Sequence, residues 1–220
     1  MQYPMVRSIA LAAAVLLPVL AQADTYLVQL TSTVGEVGSS SGLSGTMPVN
    51  SPMTLSFTVD SANFMDSTVS PARGYAINPG SVTMSVNGTA VQLSLTDPTY
   101  FALRNNAPKT DSFFMSTSTG SATGITAAVD GLSQSYKFTF SQTWNSTTSV
   151  IDSLNIADAV GSYTPMGLGS YQMDLTLANG SGAIFNPASI TISAVPEPGT
   201  YAMMALGLVA LVGVARRRKD

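Results

Sequence analysis

Ser81-Val82-Thr83-Met84-Ser85-Val86-Asn87-Gly88-Thr89-Ala90-Val91-Gln92-Leu93-Ser94-Leu95 alternates apolar and polar residues on either side of an Asn-Gly pair. Both residues of that pair tolerate positive φ, so Asn87-Gly88 suits the two-residue type I′ turn whose twist matches paired strands. With that turn, Met84 falls opposite Val91 and Val82 opposite Leu93, while Thr83 meets Gln92 on the other face. A slip of one residue would turn the apolar set to solvent, so turn and pattern specify one register.

The same period of two recurs at Tyr26, Val28 and Leu30, at Met53, Leu55, Phe57 and Val59, and at Tyr136, Phe138 and Phe140. Half-buried antiparallel strands read this way. A second Asn-Gly pair, Asn179-Gly180, predicts a hairpin from Tyr171 to Ile184 with Leu175 opposite Ile184. Further strands are predicted over 99–104, 112–117, 123–129, 149–155 and 188–193, and Gly35 to Pro52 is the longest predicted loop. No amphipathic helix of three turns is evident in the body. Roughly ten to twelve short strands separated by Gly, Pro, Asn and Asp predict an all-β fold, an antiparallel two-sheet β-sandwich or jelly roll.

This body, Asp24 to Ala194, holds 51 Ser and Thr in 171 residues, so hydroxyls rather than charges cover its polar faces. Four basic residues against ten acidic ones give it a net charge of −6, which argues against a nucleic-acid partner. The chain has no His and no Cys. A Ser-His-Asp or Cys-His nucleophile, a disulfide and a thiolate metal site are therefore excluded, and zinc would need carboxylates alone.

A pair of carboxylates, the minimum for glycoside hydrolysis, remains. Asp60, Asp66, Asp97, Asp111, Asp130, Asp152, Asp158 and Asp174 are the candidates, and most adjoin turn residues, where an Asp side chain starts a turn. The loop sets Asp60/Asn63/Asp66 and Asn105/Asn106/Asp111 offer oxygens to Ca²⁺ without a defined ligand spacing. Trp144, Tyr100-Phe101 and Phe113-Phe114 are candidate sugar-stacking aromatics, but strand neighbours point to opposite faces, so one of each pair is expected in the core. No catalytic, cofactor-binding or metal-ligating residue is assigned, and the chain is read as a non-enzyme without cofactor.

The two ends break the pattern. Arg7 precedes an apolar stretch from Ile9 to Leu20, followed by Ala21-Gln22-Ala23. Small residues at Ala21 and Ala23 are what a signal peptidase admits, so residues 1–23 are predicted as a signal peptide with Asp24 as the new N-terminus. The alternative, an uncleaved anchor, is disfavoured: twelve helical residues rise about 18 Å, short of a hydrocarbon core of about 30 Å. At the other end Val195-Pro196-Glu197-Pro198-Gly199-Thr200 leads into an uncharged run from Tyr201 to Ala215, then Arg216-Arg217-Arg218-Lys219. Each proline keeps the residue before it extended. The apolar run is expected to form one transmembrane helix over 200–215, its basic stop cytoplasmic and the body on the far side.

The order of these three parts resembles the PEP-CTERM sorting signal of exopolysaccharide-producing Gram-negative bacteria, over residues 195–220. The resemblance implies recognition by an exosortase, a membrane-embedded cysteine enzyme, and cleavage near the motif. It implies a sorting motif at Val195, Pro196, Glu197 and Pro198 and a membrane stop at Arg216, Arg217, Arg218 and Lys219. The expected organisation is a signal peptide (1–23), an exported β-sandwich (24–194) and a sorting signal (195–220), the last divided into motif (195–199), helix (200–215) and basic tail (216–220). The expected partners are the exosortase-like enzyme, signal peptidase and export machinery, the inner membrane and exopolysaccharide. The expected location is the inner membrane with a periplasmic body, then the cell surface or medium after processing. The resemblance implies a non-enzymatic component of the exopolysaccharide or biofilm matrix; the alternative is a surface carbohydrate-binding module or a polysaccharide hydrolase using paired aspartates.

Overall fold

The computed structural model describes residues 25–95, 98–106, 110–117, 125–145 and 149–196. Among these, thirteen strands follow one another: β1 Thr25–Val37, β2 Pro52–Asp66, β3 Ala72–Ile77, β4 Thr83–Val86, β5 Thr89–Leu95, β6 Thr99–Asn106, β7 Thr110–Thr117, β8 Ile125–Val129, β9 Ser135–Trp144, β10 Gly161–Tyr163, β11 Leu168–Thr176, β12 Gly182–Phe185 and β13 Ser189–Ala194. The β4–β5 hairpin has the register its sequence dictates: Asn87 and Gly88 take φ of 52° and 78°, and Met84 pairs with Val91.

All pairings are antiparallel, and they join into one continuous sheet. Long strands that change partner along their length make this possible. β1 lies against β2 on one edge; on the other it meets β13 over Tyr26 to Thr31 and then β12 from Val34 to Val37. β2 passes from β4 to β3, and β9 from β8 to β7. Register shifts between Val34 and Glu36 in the β1–β12 pairing and between Val59 and Phe64 in the β2–β3 pairing are irregularities of the kind that bend a strand. The ladder closes on itself through β1, β2, β4, β5, β8, β9, β11 and β12, giving a sandwich-like body.

Alternate residues of every long strand fill the interior. Phe57, Phe101, Phe113 and Trp144 form a file of rings with centroids 5.5–5.7 Å apart. Two irregular segments complete the core. Leu43 and Met47, in the β1–β2 connection, are fully buried, and the Tyr136 hydroxyl donates to the Ser41 carbonyl at 2.7 Å. Ile151, Ile156 and Ala159 are buried as well. Their segment is pinned by the Tyr75 hydroxyl, which donates to the Leu154 carbonyl (2.7 Å) and accepts from the Ile156 N–H (3.0 Å).

Several expectations are corrected. The strands belong to one folded-over sheet instead of two, because β1, β2 and β9 each carry pairing from one set of strands to the next. The second hairpin is shifted by one residue: Leu175 pairs with Ala183, and Ile184 sits opposite Asp174. Its loop has three residues, with only Gly180 at positive φ (82°) and Leu177 bonded to Ser181, so Ala183 and Phe185 face the core and Ile184 faces out. Residues 149–155 form bends instead of a strand, because Asp111 and Tyr75 hold their backbone groups.

The expected transmembrane helix is also corrected. Among the described residues no helix is long and apolar enough to cross a membrane, and the 3₁₀ turn Pro79–Ser81 is the one helical element there. Residues 200–215 lie outside the described residues. The inner-membrane-anchored stage, which rested on that helix, is withdrawn with it.

Candidate functional site

β13 runs into the Pro-Glu-Pro segment with no intervening linker. Its last residue, Ala194, pairs with Tyr26, and the Val195 N–H donates to the Thr25 carbonyl at 2.9 Å. The first and last described residues of the body therefore meet at one corner. Antiparallel pairing of β1 with β13 requires this, because Ile190 and Ile192 must face the core beside Val28 and Leu30. Val195 is half-buried there and Pro196 is exposed. Glu197, Pro198, Arg216, Arg217, Arg218 and Lys219 lie outside the described residues, as do Ala21 and Ala23.

At the same corner Thr25 pairs with Asp60 across β1 and β2. Together with Thr58, Val59, Asn63, Ala76, Ile77, Asn78 and Pro79 they line an open cavity of about 390 Å³. Its wall is preformed: the Asn78 N–H donates to the Thr58 carbonyl (2.9 Å) and the Thr58 N–H to Ser81 Oγ (2.8 Å). Asp60 Oδ1 accepts the Ala62 N–H at 2.8 Å, and Asn78 Oδ1 accepts that of Gly80 at 3.1 Å. A second cavity of about 170 Å³ is lined by Glu36, Asp174, Thr176, Gly180, Ser181 and Ile184, among others. Glu36 and Asp174 flank Ile184 on successive strands β1, β12 and β11, which places their backbones roughly 10 Å apart.

The remaining aspartates have local structural roles or stand on the surface. Asp66 forms a two-pronged pair with Arg73 (2.6 and 2.9 Å), whose guanidinium also lies 4.0 Å from the Phe64 ring centroid. Those hydrogen bonds hold the Asp66 carboxyl below the usual carboxylate range and raise Arg73. Asp111 is buried, and its Oδ2 accepts from Ser149 Oγ and from the N–H groups of Val150 and Ile151. Asp130, Asp152 and Asp158 are exposed, and Asp97 lies outside the described residues. Asp66 is thus committed to Arg73, and Asp111 to the loop it anchors. Among the described residues no group of three or more acidic side chains is placed to hold a metal ion.

Of the nominated aromatics, Trp144, Phe101 and Phe113 are core. Tyr100 and Phe114 occupy the opposite face, half-buried, with Tyr100 lying across Gly74, where an added Cβ would come within 2.9 Å of Tyr100 Cβ. Neither cavity has a signature in the linear sequence, because each is assembled from strands that pairing alone brings together.

Residues 194–219 match the family described as the PEP-CTERM protein-sorting motif. No curated protein and no solved structure matches the chain. The sorting segment that leaves β13 is thus a PEP-CTERM motif, which marks the chain for export and for sorting by an exosortase-like enzyme.

Proposed function

We propose that the chain is a non-enzymatic surface or extracellular protein that contributes its β-rich body to an exopolysaccharide or biofilm matrix. The observation that carries this reading is the direct passage of β13 into the sorting motif, which makes the whole folded body the cargo. The body lacks His and Cys, and Asp66 and Asp111 are committed to holding the fold. In this reading signal peptidase acts after Ala23 through Ala21 and Ala23. Val195, Pro196, Glu197 and Pro198 are gripped by the sorting enzyme, and Arg216 to Lys219 close the segment. Mass spectrometry of the protein from the surface fraction tests it: the expected C-terminus lies within the sorting segment and the N-terminus is Asp24. Surface material still ending at Asp220 removes the processing claim.

The cavity between Glu36 and Asp174 favours a second reading, a glycan-binding or glycan-cleaving body. The two carboxylates stand on one face either side of the exposed Ile184, and a pair of carboxyl groups flanking a sugar is what glycoside hydrolysis uses. Here the pair is one Glu and one Asp instead of two aspartates. Exposing the folded protein to the producing cell's own polysaccharide separates the readings: retention marks a binder, shortening of the polymer an enzyme, and neither a structural role. Asp174→Asn abolishes either activity if this cavity is responsible.

A further inference from the structure

We infer that the cavity beside the motif exit is a docking face for the sorting enzyme, which reads the folded body as well as the tail; this rests on the sorting function proposed above. Val195 is fixed to Thr25, and consecutive Cα atoms are about 3.8 Å apart, so the Cα of Glu197 lies no more than about 8 Å from that of Val195. An active site that closes on residues 196–198 must therefore stand against the surface around Thr25. That surface includes the cavity that Thr25 shares with Asp60, Asn63 and Asn78 on the β2 side of β1.

The lining defines what fits. Val59 and Ile77 belong to the buried core beneath the cavity, and Ala76 is half-buried in its lining. The exposed Asp60 carboxylate stands on the rim, and among the described residues its Oδ2 accepts no hydrogen bond. The carboxamide nitrogens of Asn63 and Asn78 likewise have no partner among the described residues, and no basic side chain lines the cavity. One rim carboxylate with no basic side chain in the lining suits the charged head of a long basic side chain, whose flexible stem lets it reach Asp60 in the open cavity. The occupant is thus an Arg or Lys on the extracytoplasmic surface of the exosortase-like enzyme. Because the walls are held by the Asn78–Thr58 and Thr58–Ser81 bonds, docking needs no rearrangement of the body.

The experiment follows conversion of the precursor to its processed C-terminus in cells, by pulse-chase and mass spectrometry. It compares wild type, Asp60→Asn, Asp60→Arg, a variant with ten Gly/Ser residues inserted between Ala194 and Val195, and the control Asp130→Arg on the β8–β9 turn. Asp60→Arg is expected to slow processing about tenfold and Asp60→Asn about threefold, since a rim charge acts mainly on association. The inserted linker, which separates motif from body, should slow wild type comparably and make it insensitive to Asp60→Arg. Asp130→Arg should process normally. Wild-type rates for Asp60→Asn and for the linker variant overturn the inference, even if Asp60→Arg fails to fold. Polysaccharide retention lost on Asp60→Asn with processing unchanged also overturns it, assigning the cavity to a glycan. If wild type is never processed and double replacement of Pro196 and Pro198 by Ala changes nothing, the sorting reading itself has failed.

Discussion

Gln142 holds Ala188 by both of its backbone groups: Nε2 donates to the Ala188 carbonyl at 2.9 Å, and the Ala188 N–H donates to Oε1 at 3.1 Å. Both residues are buried, so this side chain does for the β12–β13 connection what a strand neighbour would do. Gln142→Leu fits the volume but leaves a buried donor and acceptor unpaired. It is expected to cost about 2–4 kcal/mol, each orphaned group contributing roughly 1–3 kcal/mol. A fall in melting temperature of about 5–10 °C by calorimetry would be the readout.

Tyr136 plays a comparable part for the β1–β2 connection through its bond to the Ser41 carbonyl. Tyr136→Phe should cost about 1–2 kcal/mol. Burial raises its hydroxyl above the usual tyrosine range. A raised folded pKa contributes stability that is present below the unfolded value and lost as pH rises through the folded one. Alkaline unfolding should therefore begin at lower pH for wild type than a Tyr136→Phe variant's own neutral-pH deficit would suggest, so the gap between the two narrows above pH ~10. Denaturant titrations at neutral and alkaline pH measure that gap.

The two Asn-Gly hairpins should respond differently to the same change. Asn87 sits at positive φ, so Asn87→Ala is expected to cost about 1 kcal/mol. Asn179 does not, and Asn179→Ala loses only the exposed bond from the Ser181 N–H to Oδ1, a few tenths of a kcal/mol. Equal losses in urea denaturation would contradict the three-residue loop assigned to the second hairpin.

That contrast shows where the fold was legible. Met84 opposite Val91 followed from turn chemistry and alternation acting together, and the strands around Tyr26, Leu55 and Phe138 followed from alternation alone. At Asn179-Gly180 the same dipeptide serves a different turn, and the choice is made by Ala183 and Phe185 seeking the core, a tertiary effect. β3 has no legible alternation because Gly74 and Arg73 interrupt its pattern; Gly74 is needed where Tyr100 crosses the strand. Residues 149–155 look extended but are held by Asp111 and Tyr75, which are distant in sequence. The sorting motif was readable because a partner reads it as linear chain, whereas the cavity beside it exists only once β1 and β2 pair.

The Asp66–Arg73 pair sets an acid-side expectation. Hydrogen bonding to Arg73 is the main cause of the lowered Asp66 pKa, slight burial opposes it, and the charge of Arg73 adds to it. A depressed folded pKa gives stability that is present above the ordinary carboxylate range and lost as pH falls through the lowered value. The pair faces solvent, so screening limits its contribution to no more than about 1 kcal/mol. An NMR titration should show Asp66 protonating below the usual carboxylate range, and Arg73→Gln should return it to that range. No movement of that titration in Arg73→Gln would remove the ion pair from the solution structure.

The position of β13 bounds where the tail can be cut without destroying the cargo. Ile190 and Ile192 are 0% and 1% exposed, and burying two such side chains contributes roughly 3–6 kcal/mol. That is comparable with the total stability of a typical domain, about 5–15 kcal/mol. A protein ending at Ala188 should therefore fail to fold, exposing the edge of β1 that β13 covers. One ending at Val195 keeps the strand and its bond to Thr25, and should melt within about 1–2 °C of the uncut body, the range of a change well below 1 kcal/mol. Comparing the two truncations by circular dichroism tests this directly. A cooperative melt from the Ala188 form would mean that β13 is dispensable and that scission could extend into it. Loss of folding there, with the Val195 form intact, confines the cut to the segment beyond the sheet, where the sorting motif lies.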